Sequence, residues 1–190
     1  MSSSPKPRSV HDPRTLRALA HPLRTRILDE VSARGSMRAA DVARELDIPA
    51  NQASFHLRQL AKYGLIEEDA DAARDRRDRV WRLVSPQGYL ISLAQLEQRP
   101  GGKAVTTAFR RTAREWGHVV VDAAYADTNE PDTQRTLLDV PLRLTKSEAA
   151  ELAGELQELT RRWQSHTREA TSGQHTYTFL GILVPRPHPS

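Results

Sequence analysis

Two periods of hydrophobic recurrence run along the 190-residue chain, and the change from one to the other marks its organisation. Leu16, Leu19, Leu23, Ile27 and Val31 stand three or four apart, the spacing of one helical face. Pro22 interrupts that row and pushes His21 out of helical geometry. The pattern therefore predicts two helices, the second starting at Pro22 and ending before Gly35. Residues 37–47 (MRAADVARELD) predict a third, with Val42, Ala43 and Leu46 inward and Asp41 near its first turn. After the tight connection Asp47-Ile48-Pro49, a fourth covers 50–63, with Ala53, Leu57 and Leu60 in one narrow arc and Asn51, Phe55, Arg58 and Lys62 opposite. Gly64 ends it, Leu65-Ile66 open a strand, the polar run EEDADAARDRRD forms a hairpin segment, and residues 79–84 return.

The second half reads differently. Val105, Phe109, Trp116 and Val120 mark one face of a long helix over about 103–126, and DTNEPD (127–132) reads as a loop. Leu138, Val140, Leu142 and Leu144 alternate as in a strand, with Pro141 suited to an edge position. Thr145-Lys146-Ser147-Glu148 is a capping box, and Leu152, Leu156, Leu159 and Trp163 then form a single helical stripe. YTFLGILV (177–184) predicts a closing strand. The expected class is α+β. An N-terminal winged helix-turn-helix precedes a long dimerisation helix and a small strand-helix-strand unit. The expected divisions are a disordered tail over 1–10, a winged domain over 11–86, a linker over 87–102 hinged at Pro100-Gly101-Gly102, and a C-terminal dimerisation domain over 103–190.

Composition narrows the chemistry. With no cysteine, disulfides, thiolate metal sites and a cysteine nucleophile are excluded. No apolar run approaches the ~20 residues of a bilayer span and MSSSPKPRSV lacks the apolar stretch of a secretory signal, so the expected location is cytoplasmic. Of the 28 Lys+Arg and 24 Asp+Glu, residues 1–90 hold 16 against 12 and residues 91–190 hold 12 against 12, so the whole excess of +4 lies in the first half. That sign favours an acidic partner only weakly. Nothing groups Ser, His, Asp or Glu into a nucleophile elbow, an HExxH or a phosphate-cradling loop; we expect no enzyme and no cofactor.

Residues 49–66 contain no acid at all. A helix fits the B-DNA major groove, where Asn and Gln pair with adenine, Arg with guanine, and an apolar side chain meets the thymine methyl. Asn51, Gln52, Ser54, Phe55, Arg58, Gln59 and Lys62 supply that chemistry without repelling phosphate. Phe55 either touches a base or covers a neighbouring helix. In the wing, 67–82, Arg74, Arg76, Arg77 and Arg79 reach for backbone or minor groove, although Asp71, Asp75 and Asp78 lie among them. Double-stranded DNA is thus the expected partner; the alternative is a winged helix that binds an acidic protein. Of the seven histidines, His21 reads as a helix-start residue and His56 as a packed, hydrogen-bonded one. His118 and Asp122, four apart, would make a metal site only if duplicated across a two-fold, and no metal is expected.

LRALAHPLRTRILDEV, DVARELDIPANQASFHLRQLAKYGLIEED and DRVWRLV together resemble the ArsR-type winged-helix transcriptional regulators over roughly residues 16–84. The resemblance implies a homodimeric, DNA-binding repressor with recognition helix 50–63. Two departures stand out. Asp47 occupies the turn position where that family usually has glycine, and the cysteines through which many relatives sense metal are absent. Dimerisation through Val105, Phe109, Trp116 and Val120 follows from the need for two reading heads on a palindromic site. An apolar small-molecule effector between Trp116, Trp163 and the final strand is a further reading of the second half.

Overall fold

The computed structural model describes residues 7–72, 79–127, 130–167 and 173–186. In order these form β1 (Arg8–Val10), α1 (Pro13–Leu19), α2 (Pro22–Arg34), β2 (Ser36–Arg38), α3 (Ala39–Leu46), α4 (Ala50–Lys62), β3 (Ile66–Glu68) and β4 (Val80–Leu83). β5 (Tyr89–Ile91), α5 (Leu93–Glu97), α6 (Gly102–Tyr125) and α7 (Lys146–His166) follow. The α+β class with an N-terminal winged helix-turn-helix holds, and the local signals act as their chemistry requires. His21 is extended (φ −102°, ψ 119°) with Pro22 opening α2, and Gly35 closes that helix at φ 80°. Asp47 takes the left-handed turn between α3 and α4 (φ 50°, ψ 54°), a conformation that aspartate tolerates better than most residues.

β3 and β4 pair antiparallel, Ile66 opposite Leu83 and Glu68 opposite Trp81, and β2 completes the sheet in the order β2-β4-β3. Leu16, Ile27, Val31, Val42, Ala53, Leu57, Leu60, Leu65 and Ile66 are closed from solvent in one core beneath that sheet. At ~1.5–3 kcal/mol for each large aliphatic side chain removed from water, this cluster dominates the stability of the unit.

Three expectations change. Met37 and Arg38, read as the start of a helix, belong to β2 and pair with β4 instead. Residues 8–10, read as tail, form β1 parallel to β5, with Val10 buried. The stretch 87–102, read as a linker, carries β5 and α5, and Leu96 sits in the core. The joint at Gly102 is tight: a Cβ there would lie 1.8 Å from the Leu96 carbonyl oxygen. Three-residue strands and a five-residue helix are too short to show a period, which is why pattern alone passes over them.

α6 is anchored to the winged unit rather than standing apart. Thr112 Oγ1 donates to the Ala20 carbonyl at the end of α1 (3.0 Å), and Thr106 Oγ1 donates to Glu97 Oε1 (3.1 Å). Beyond Ile91 the described residues contain no strand. Residues 138–144 and 177–184 are without ladder partners, so the strand-helix-strand unit has its helix but no paired sheet. Alternation specifies which side chains share a face, and it leaves open which edge supplies the partner.

Candidate nucleic-acid interface

α3 and α4 pack on each other across the Asp47 turn, and α4 turns Ala53, His56, Leu57 and Leu60 inward. What remains outward is the acid-free row. Asn51, Gln52, Arg58 and Lys62 are exposed, Phe55 is 50% exposed, and Ser54 and Gln59 are half-buried at its edges. Asn51 Oδ1 accepts from the Gln52 backbone N–H (2.9 Å), which also donates to the Pro49 carbonyl (3.0 Å). Phe55 does not fold onto a neighbouring helix; its ring meets His56 edge-on at 5.2 Å and otherwise faces out.

The C-terminal end of α4 is held by neighbouring elements. Arg8 donates from Nη1 to the Gly64 carbonyl just past α4 (3.0 Å), and Tyr89 donates its hydroxyl hydrogen to the Leu65 carbonyl. Arg24 ties off the preceding helix instead: its Nε donates to the Ala18 carbonyl (2.8 Å) and its Nη2 to that of Arg17 (3.0 Å), closing the C-terminus of α1. Thr25 Oγ1 adds a bond to the Leu19 carbonyl (2.9 Å). The sequence reading missed these roles for Arg8, Arg24 and Tyr89. The signal for Arg24 was present in HPLR, where a proline-started helix must tie off the one before it.

His21 and His56 meet with ring centroids 4.8 Å apart, joining the α1–α2 corner to α4. His56 is buried, as expected, but the hydrogen bond expected at its ring is not made at Nδ1, and His21 Nδ1 is likewise buried without a partner. Burial, then the Arg24 charge, holds the His21 pKa below its ordinary value. Burial, then His21 and Arg24, does the same for His56. Both shifts favour the neutral form of the ring.

Arg79 and Arg82, the wing arginines among the described residues, are already paired with carboxylates. Arg79 Nε lies 3.3 Å from Glu68 Oε1, and Arg82 is paired with Glu67 (3.0 Å) and Asp69 (3.4 Å). Arg74, Arg76 and Arg77 lie outside the described residues. In the second half, Val105 is buried in the chain's own core and Phe109 packs against it, so neither is free to meet a partner, while Trp116 and Val120 are half-buried. Val119 is exposed on α6, as are Val121 and Tyr125, which are four apart on one face. His118 and Asp122 are exposed, and among the described residues no three potential ligands converge. Trp163 stands open with His166 edge-on at 5.9 Å. The clefts lined by Met37, Asp41 and Val80, and by Val31, Glu67 and Leu83, reach neither Trp116 nor Trp163.

A buried three-helix platform, a sheet of three strands, and an outward helix bearing amide, hydroxyl, aromatic and cationic groups define a winged helix-turn-helix of the DNA-binding, transcription-regulating class. A family model described as a helix-turn-helix domain matches residues 19–69, the span from the end of α1 to just past β3. No curated protein matches the chain. Among solved structures, the chain is similar to one titled as Lactococcus lactis ZitR, C30AH42A mutant in apo form, at 16% identity. That match covers 76% of this chain and 83% of that one, with a TM-score of 0.29. Among the described residues, no helix is long and apolar enough to cross a membrane.

Proposed function

We propose that the chain is a cytoplasmic, homodimeric transcriptional repressor of the ArsR type that reads a palindromic operator with α4. The observation that carries this reading is the exposed, acid-free row Asn51, Gln52, Phe55, Arg58 and Lys62 on a helix whose opposite face is sealed into the core. Arg58 stands mid-row, where a guanidinium reaches guanine O6 and N7 together. Lys62, near the C-terminal end of the row, is placed for phosphate. Two copies related by a two-fold present two such helices, and the half-sites they read are about 34 Å apart, one turn of DNA. Arg79 contributes less than α4, because Glu68 already neutralises it.

Selection of bound fragments from genomic DNA tests the reading directly. The expected result is a two-fold symmetric consensus whose affinity falls by orders of magnitude between roughly 50 and 200 mM salt. Arg58→Ala is expected to cost ~1–3 kcal/mol on that site and to relax preference at one base pair in each half. The absence of any consensus, with salt-insensitive binding to an acidic protein, would replace this reading with the interaction-module alternative.

A further inference from the structure

The 21 residues of α7 include no buried side chain, although the helix has a full apolar stripe and a closed capping box. Leu152 and Leu156 are half-buried, Leu159 is exposed, and Trp163 is 59% exposed. The segments on either side expose more apolar surface: Leu138 at 82%, Ile182 at 69%, and Val140, Leu142, Phe179 and Val184. In proteins most of a helix's stability comes from tertiary packing of its apolar side, and α7 buries no side chain of its own within the chain.

Charge along α7 indicates the occupant. After Lys146, Glu148, Glu151, Glu155 and Glu158 occupy its first two-thirds, and Arg161 and Arg162 follow in the last third, Arg161 already paired with Glu158 (2.6 Å) and Arg162 in no ion pair among the described residues. A two-fold axis crossing the helix lays the acidic part of one copy beside the basic part of the other. The spacing 152, 156, 159, 163 alternates four, three, four, which is the spacing of a helix-helix seam. In an antiparallel pair with that seam, Leu152 meets Trp163 of the second copy, Leu156 meets Leu159, and Glu155 flanks Arg162.

We propose that α7 pairs antiparallel with the α7 of a second copy of this chain, making the C-terminal half an interface. The pairing rests on the homodimer reading above and adds a contact separate from α6. The extended segments 138–144 and 177–184 gain their cover from the same assembly.

A charge-exchange experiment on the full chain tests the register. Glu155→Arg and Arg162→Glu, each alone, place like charges across the seam and are expected to weaken dimerisation about tenfold or more by sedimentation equilibrium. Glu155→Arg with Arg162→Glu is expected to restore it. Both residues are exposed, so the winged unit remains folded by circular dichroism in all three variants. A wild-type dimer indifferent to the single changes, or a double variant no better than the worse single, would overturn the α7 pairing and leave dimerisation to α6. A wild-type monomer at micromolar concentration would overturn the homodimer reading itself. Hydrogen exchange gives a second readout: protection of α7 amides that rises with protein concentration supports the pairing. Protection independent of concentration means that α7 packs on its own chain, which defeats it.

Discussion

The winged unit and α7 are built from the same kind of pattern and end in opposite conditions. α4 carries its apolar residues at helical spacing, and Ala53, Leu57 and Leu60 are fully enclosed. α7 carries an equally clear stripe with a better cap, since Thr145 Oγ1 accepts from the Glu148 N–H while Glu148 Oε2 accepts from the Thr145 N–H (2.7 Å), and it buries nothing. Local signals make a helix; neighbours make it stable. α4 has α2, α3 and β3 within its own chain, whereas α7 is flanked by two unpaired extended segments.

Mutations sharpen that contrast. Leu60→Ala empties a site with no solvent contact and should destabilise the winged unit by about 2–5 kcal/mol in urea titration. Leu159→Ala, at an exposed position, should leave the same transition within experimental error. If the two changes cost alike, the two halves are one cooperative unit and the contrast fails. Asp47→Val puts a β-branched residue at φ 50° in the α3–α4 turn and should cost about 1–2 kcal/mol, read as a lower thermal midpoint. Thr145→Ala removes a cap normally worth about 1 kcal/mol. Its effect should show in the helical circular dichroism signal and leave the midpoint of the winged unit where it was.

The smallest expected effect is a pH slope. The folded pKa values of His21 and His56 are both lowered, so the unfolded chain binds protons that the folded chain resists. Stability is then fully present above the ordinary imidazole pKa of about 6.5 and is lost as pH falls below it toward the lowered folded values. His56→Gln should flatten that part of the pH profile relative to the natural chain. An unchanged slope would remove the histidine pair from the account of α4 docking.

Much of the candidate interface was legible before any tertiary structure. Helix start at Pro22, stop at Gly35, left-handed Asp47 and the inward arc of α4 follow from local stereochemistry and from burial at a fixed period, and these decide which of Asn51 to Lys62 face outward. Arg8 and Tyr89 were not legible as supports because each acts on a backbone carbonyl that the fold brings near, at separations of 56 and 24 residues, whereas Arg24 bonds a carbonyl only 6 residues away and HPLR carried its signal. In the wing, only register shows that Arg82 stands opposite Glu67 and that Arg79 lies beside Glu68.

The sequence by itself determined where helices begin and end and which faces are apolar, since those depend on neighbours three or four residues away. Only the tertiary structure decided what each face meets. It placed Val105 in the chain's own core and packed Phe109 against that core, brought β1 to β5 across 81 residues, and left the α7 stripe uncovered. The reason is physical: an apolar face is satisfied by any complementary surface, so its period specifies that it must be buried without specifying against what.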